Sequence, residues 1–148
     1  KATKFFILIK NSYGSKMGSF GVRKRDITKS IEYIKEISKR LNKVIIENLD
    51  FEKVLNKYDK EDTLFYLDPP YFKTESYYKD IEFNEQDHLR LKEALSNIKG
   101  KWILSYNDCN YIRDLYKDYN IEAIERQNNL KIKYENNSRY RELIIKNY

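Results

Sequence analysis

The sequence predicts an α/β fold, a largely parallel sheet with helices on both faces. Three observations carry this. Short continuous apolar runs, KVIIENLD, TLFYLD and KWILSYND, recur through the chain. Helical stretches separate them, FEKVLNKY after the first and NEQDHLRLKEALSNIK after the second. Strands buried on both faces read as unbroken apolar runs, and a helical crossover returns the chain in the same direction. The last two runs, IEAIERQN and RELIIKNY, have only a polar loop between them, so they should pair antiparallel. At 148 residues the chain is the size of one domain and can bury a real core.

The elements follow in order. ATKFFILIKNSYG reads as a short buried helix or strand ending near Gly14. NSYGSKMGSFGVRKRD holds Gly14, Gly18 and Gly21 among basic and aromatic residues, which breaks both periodicities and marks a loop or hairpin. Asp26 fits a helix N-cap, and ITKSIEYIKEISKRLN sets Ile27, Ile31, Ile34, Ile37 and Leu41 on one stripe. KVIIENLD reads as a strand and FEKVLNKY as a short helix, with Asp50 placed to cap it. TLFYLD is a strand followed by a polar loop. NEQDHLRLKEALSNIK is a helix capped by Asn84 and ending at Gly100. KWILSYND is a strand, NYIRDLYKDY a helix entered through Asn107 and Asp108, and the closing strand pair follows.

The chain carries 14 tyrosines and a formal net charge of +6, a balance suited to a polyanion such as nucleic acid or to a solvated lysine-rich surface. Its one cysteine, Cys109, excludes an internal disulfide and a zinc site built on cysteines, and it fits a reducing cytoplasmic setting. No apolar run approaches the ~20 residues that span a bilayer. His88 has no partner pattern and reads as a surface or packing residue. Trp102 and Cys109 read as packing residues.

The chain's two prolines stand together in TLFYLDPPYFK, residues 63 to 73. In open α/β sheets ligands bind beyond the carboxyl ends of strands, where Asp68 falls. Proline has no amide hydrogen and cannot continue a ladder, so Pro69 and Pro70 hold a stiff extended turn. A carboxylate and the Pro69 carbonyl then sit side by side as acceptors for the two hydrogens of a primary amine. Drawing on both hydrogens biases an aromatic amine towards tetrahedral geometry and frees its lone pair for an electrophile. Tyr71 can stack on the ring that carries it. This is electrostatic positioning rather than acid–base chemistry. The plainer alternative is a turn that merely redirects the chain.

DPPY after an apolar strand resembles the catalytic motif of amino-group DNA methyltransferases, and the wider match is to the Dam-like (D12 class) adenine-N6 enzymes. FILIKNSYGSKMGSFGV resembles the family's helix and glycine-rich entry to its target-recognition region. VIIENLDFEKVL resembles its third strand and the turn that flanks the cofactor's adenine, ILSYND its strand-end Ser-Asn-x-Asp region, and NNSRYRELIIKNY its closing loop and strand. The resemblance implies a partial class I (Rossmann-like) methyltransferase sheet. Residues 1–43 would be part of the target-recognition region and 44–148 the C-terminal part of the catalytic domain. It implies methyl transfer from S-adenosylmethionine to adenine N6 in double-stranded DNA, in a restriction–modification setting, with the base flipped out of the stack. Asp68 and the Pro69 carbonyl would hold the amine, with Pro70 stiffening the turn and Tyr71 stacking. Asp50, Phe51 and Asp68 would meet the cofactor. No metal is implied, because a sulfonium is already a strong electrophile.

The family's Phe-x-Gly-x-Gly turn, its N-terminal Gly-Gly-Lys segment and the acidic end of its second strand have no counterpart in this sequence. The family's first strand lies between the strand bearing Asp68 and the second strand. We therefore expect an incomplete catalytic domain, a C-terminal fragment that is inactive alone, or one whose missing strands a second chain supplies. Lys16, Arg23, Lys24 and Arg25, interleaved with Tyr13 and Phe20, are candidate DNA contacts, as are Arg139 and Arg141. Tyr77 and Tyr78 are candidate stacking residues on a flap, or else cover for the sheet edge. Ser105 and Asn107 are candidate supports of the pocket. Cytosine-N4 and other planar-amine methyltransferases share the tetrad chemistry, and a non-catalytic DNA-binding module is the remaining alternative.

Overall fold

The computed structural model describes residues 1–12, 19–21, 28–74, 83–127 and 139–148. It divides into two units, Lys1–Ile46 and Glu47–Tyr148.

The first unit holds two helices. Helix α1 (Ala2–Asn11) ends where Asn11 Nδ2 donates to the Ile7 carbonyl and Ser12 Oγ to that of Ile9, taking up two carbonyls of the last turn. Its FFILI run reads as buried, yet no residue of α1 is buried. An apolar run is buried only if another element covers it. Helix α2 (Thr28–Leu41) carries the expected stripe of Ile31, Ile34, Ile37 and Leu41 on one face, exposed. Lys39 and Arg40 in its last turn complement the helix dipole. Asp26 and Ile27 lie outside the described residues. Over residues 44–50 the structure departs from expectation, for KVIIENLD forms no strand. Ile45 and Ile46 are 73% and 77% exposed. A strand exists only through its neighbour's hydrogen bonds, and no described strand runs beside this one.

The second unit opens with helix α3 (Phe51–Tyr58), where the Asp50 carboxylate accepts from the Glu52 amide, the cap its position promised. Strand β1 (Leu64–Leu67) follows. Helix α4 (Glu85–Asn97) starts in a capping box, with Asn84 accepting from Gln86 N–H while Asp87 accepts from Asn84 N–H. Strand β2 (Lys101–Asn107) and helix α5 (Asn110–Leu115) come next. The N-cap of α5 is Cys109, not Asn107 or Asp108. Strands β3 (Asn120–Gln127) and β4 (Arg139–Lys146) close the unit.

The sheet order is β1-β2-β4-β3. Strands β1 and β2 pair parallel, and β4 pairs antiparallel with both β2 and β3. So β1, β2 and β3 point one way, as strand–helix alternation requires, but among the described strands only β1 and β2 pair parallel. The expectation of a largely parallel ladder fails because β4 runs opposite to its neighbours and slots between β3 and β2.

The core gathers on β2 and β4. Trp102, Leu104, Tyr106, Leu143 and Ile145 are fully buried, joined by Leu91 and Leu95 of α4, Ile112 of α5, Leu55 of α3 and Tyr116. Leu104, Ser105 and Tyr106 are buried in succession, so β2 is covered on both faces. Polar side chains finish the amino ends of the strands. Asp59 accepts the amide hydrogens of Lys99 and Gly100, and Asn147 accepts that of Trp102 while donating to the Gly100 carbonyl. No described helix is long and apolar enough to cross a membrane, and no described cluster of His, Cys, Asp and Glu could hold a metal ion.

Candidate active site

Strand β1 stops at Leu67, which leaves Asp68 just past its carboxyl end, exposed. The parallel register sets Leu67 opposite Leu104, so the next residues, Asp68 and Ser105, come together. Ser105 is buried, and its Oγ lies 2.8 Å from Asp68 Oδ1 and 3.3 Å from the Leu67 carbonyl. The hydroxyl has one hydrogen, and the shorter, charge-assisted contact claims it. One carboxylate oxygen is therefore fixed.

Pro69 and Pro70 follow, half-buried, then Tyr71 with its ring 6.1 Å from that of Tyr106. Burial, then the negative charges of Glu142 and Asp68, push the Tyr71 phenol up to about 12, with the Ser105 hydroxyl acting in the opposite direction. The phenol is thus held uncharged. Beyond it the chain makes a tight turn: the Thr74 amide and hydroxyl both donate to the Tyr71 carbonyl, and Lys73 adopts φ 66°. That left-handed conformation is one a lysine enters at a cost, so the turn is held by its surroundings. Phe72 stacks on Tyr111 at 4.2 Å, and Asn107 donates Nδ2 to the Phe72 carbonyl at 3.1 Å. The Oδ1 of Asn107 is buried and has no hydrogen-bond partner among the described residues.

Two cavities meet at Asp68. One, of about 430 Å³, is lined by Asp50, Phe51, Tyr66, Pro69, Pro70, Phe83 and Arg90 among others. The other, of about 540 Å³, is lined by Tyr71, Thr74, Asn107, Arg126, Tyr140, Arg141 and Glu142. Both are of the size that small-molecule sites occupy. In the first, Arg90 donates both Nη groups to Asp50 at 3.1 Å, bonds Asp87, and lies 4.3 Å over the Phe51 ring. A carboxylate and an aromatic face are thereby held in one orientation at the cavity wall. The second cavity offers a tyrosine ring and hydrogen-bonding groups, with Arg126 3.6 Å from Glu142.

The residues singled out from sequence fall as follows. Asp68, Pro69, Pro70 and Tyr71 stand contiguously where the cavities meet, and Asp50 and Phe51 line the first of them. Arg141 is exposed and lines the second cavity. Arg139 begins β4, its side chain outside the described set. Lys16, Arg23, Lys24, Arg25, Tyr77 and Tyr78 also lie outside the described residues. Arg90 and Glu142 carried no sequence signal strong enough to single them out. His88 did carry one, since its spacing to Leu91 and Leu95 places it on the core stripe of α4. It is a packing residue, fully buried, with Nδ1 2.6 Å from the Tyr106 hydroxyl.

Comparison with known proteins gives a consistent result. The family model for D12 class N6 adenine-specific DNA methyltransferases matches residues 6–130. The chain is 31% identical over 127 residues to the type II methyltransferase M1.LlaDCHI of Lactococcus lactis subsp. cremoris, covering 79% of this chain and 44% of that protein. It is 27% identical over 111 residues to the type II methyltransferase M.CviBI of Paramecium bursaria Chlorella virus NC1A, covering 73% of this chain and 43% of that protein. The matches thus span less than half the length of these relatives.

Proposed function

Because the chain belongs to the D12 class N6 adenine-specific DNA methyltransferase family, we propose that it carries the amine-binding half of an active site that methylates adenine N6 in DNA. The observation that carries this reading is the placement of Asp68: exposed at the carboxyl end of β1, fixed on one oxygen by Ser105, and lining two cavities. In this reading the cavity at Tyr71 receives the flipped base and the cavity at Phe51 the cofactor. A ring stacked on Phe51, with its polar edge towards Asp50, suits the adenosine end of S-adenosylmethionine. When bound, that cofactor supplies an electrophilic methyl group.

The chain's own residues do the rest. Asp68 and the Pro69 carbonyl accept the two N6 hydrogens, which turns the nitrogen lone pair towards the cofactor cavity. Tyr71 stacks on the purine, and its uncharged phenol adds no second negative charge beside Asp68. The prolines allow no amide to compete for these acceptors. Once N6 took up the methyl group that the cofactor would supply, one of the N6 hydrogens held by Asp68 and the Pro69 carbonyl would be lost to solvent. Arg141 and the basic segment containing Lys16, Arg23, Lys24 and Arg25 grip the DNA backbone.

The working sheet, of Rossmann-like type, extends past the open edge of β1, where Leu64 and Tyr66 are exposed. Strands from outside this sequence pair there, in the same polypeptide or from a second chain. The sequence by itself binds S-adenosylmethionine weakly and transfers no methyl, and the enzyme acts in the cytoplasm. In a methylation-competent protein that includes this chain, Asp68→Ala should abolish labelled methyl incorporation into DNA while leaving DNA binding largely intact. Mass spectrometry of the nucleosides should show N6-methyl-2′-deoxyadenosine. Surviving activity in the variant, or N4-methyl-2′-deoxycytidine in the product, would overturn the assignment.

A further inference from the structure

We infer that the buried His88–Tyr106 pair positions the Tyr71–Phe72 shelf, a role that rests on the methyl-transfer reading for its purpose but not for its geometry. His88 is fully buried on α4, and Tyr106 is fully buried on β2. They share a hydrogen bond of 2.6 Å, which ties helix to strand across the core. A buried polar pair of this kind is kept only where both groups are satisfied, so its position carries information.

The pair's neighbours show what it holds. The Phe72 ring meets the His88 ring edge-on at 5.5 Å, and the Phe83 ring meets it edge-on at 4.8 Å. One imidazole thus meets both Phe72, next to Tyr71, and Phe83, next to the Asn84 cap of α4. The Tyr106 ring lies 6.1 Å from that of Tyr71. The hydrogen bond fixes the Tyr106 ring behind the stacking tyrosine and the imidazole behind Phe72. With the Lys73 turn entered at a cost, the shelf needs this outside support.

The Thr74 amide, bonded to the Tyr71 carbonyl at 2.9 Å, is a local reporter of the shelf. Amide hydrogen exchange on this chain compares wild type with Tyr106→Phe, His88→Gln and His88→Asn. Asparagine can place a polar atom where Nδ1 stood, and glutamine reaches instead towards Nε2. Losing a bond worth about 1 kcal/mol should speed exchange at residues 72–74 roughly fivefold in Tyr106→Phe and His88→Gln. The β3–β4 ladder amides should change less than about twofold, and His88→Asn should return the shelf towards wild type. Exchange that rises equally in the shelf and the ladder would reduce the pair to general core packing, and unchanged exchange at 72–74 would also sink the proposal. Should Tyr106→Phe not fold, the contrast between the two His88 variants carries the same decision.

The second measurement is methyl transfer by the competent protein. His88→Gln should lower kcat with KM for DNA unchanged, and His88→Asn should restore it. Equal kcat in both variants would overturn a positioning role in the reaction. Should wild type methylate nothing, the methyl-transfer reading fails while the exchange result still decides whether the pair holds the shelf.

Discussion

Ser105→Ala removes the described side chain that bonds Asp68. The substitution removes an O–H···O contact of 2.8 Å to Oδ1 and leaves the rest of β2 in place. Hydrogen bonds to charged groups contribute about 1.5–3 kcal/mol. Asp68 is exposed, so water replaces part of the lost bond, and the low end applies, about 1.5 kcal/mol or roughly tenfold in rate. Folding stability should fall by about 1 kcal/mol, because the change deletes one buried oxygen and its hydrogen bond to an exposed carboxylate that water can serve instead. If the amine is gripped more tightly in the transition state, the loss should fall on kcat and spare KM for DNA. The assay is steady-state methyl transfer by the competent protein, with urea unfolding alongside. A kcat within about twofold of wild type would refute the reasoning, since Asp68 would then need no fixed oxygen. A fall in stability beyond about 3 kcal/mol would refute the structural estimate instead.

Gly100→Ala should destabilise the chain by about 1–2 kcal/mol in urea unfolding, because a Cβ there would meet the carbonyls of Thr63 and Lys60 at 3.0 and 3.1 Å and the Phe65 ring at 3.1 Å. A variant as stable as wild type would show that this crossing has slack. The Tyr71 phenol, pushed up to about 12, gives a pH prediction. Its folded value lies above the ordinary ~10, so folding favours the neutral form. That contribution is complete below pH ~10 and is lost as pH rises from there through the folded value. The ultraviolet phenolate difference between wild type and Tyr71→Phe should therefore stay flat until about pH 11. A component titrating near pH 10 would contradict the burial.

Most elements of the second unit were legible because their signals are local. Asn84 and Asp87 spell a capping box within four residues, and β1 and β2 are unbroken apolar runs bounded by polar turns. What failed was non-local. Val44 to Ile46 has the composition of a strand, but a strand is a relation between two segments, and these residues stay exposed without one. FFILI in α1 has the composition of a core and lies outside one for the same reason. The place of β4 between β2 and β3 depends on which neighbours an antiparallel strand takes, and local pattern does not encode that choice.

The site divides along the same line. The place of Asp-Pro-Pro-Tyr at a strand end was legible because the apolar run and the turn are adjacent in sequence. Ser105 could be named as a candidate support, but not its bond to Asp68, because the two are 37 residues apart in sequence and meet only through the register of β1 on β2. That register is set at the opposite end of the strands. The Lys101 amide donates to the Thr63 carbonyl at 2.9 Å, Asp59 holds the amides of Lys99 and Gly100, and the missing side chain of Gly100 lets the two segments close. Four paired residues later the same register delivers Ser105 to Asp68. Side chains alternate along a strand, so a slip of one residue would put Leu104 or Tyr106 beside the carboxylate in place of a hydroxyl. On the proposed reading Gly100 therefore bears on catalysis without touching the site. If Gly100→Ala shifts the register rather than only straining it, its kcat should fall at least as far as that of Ser105→Ala.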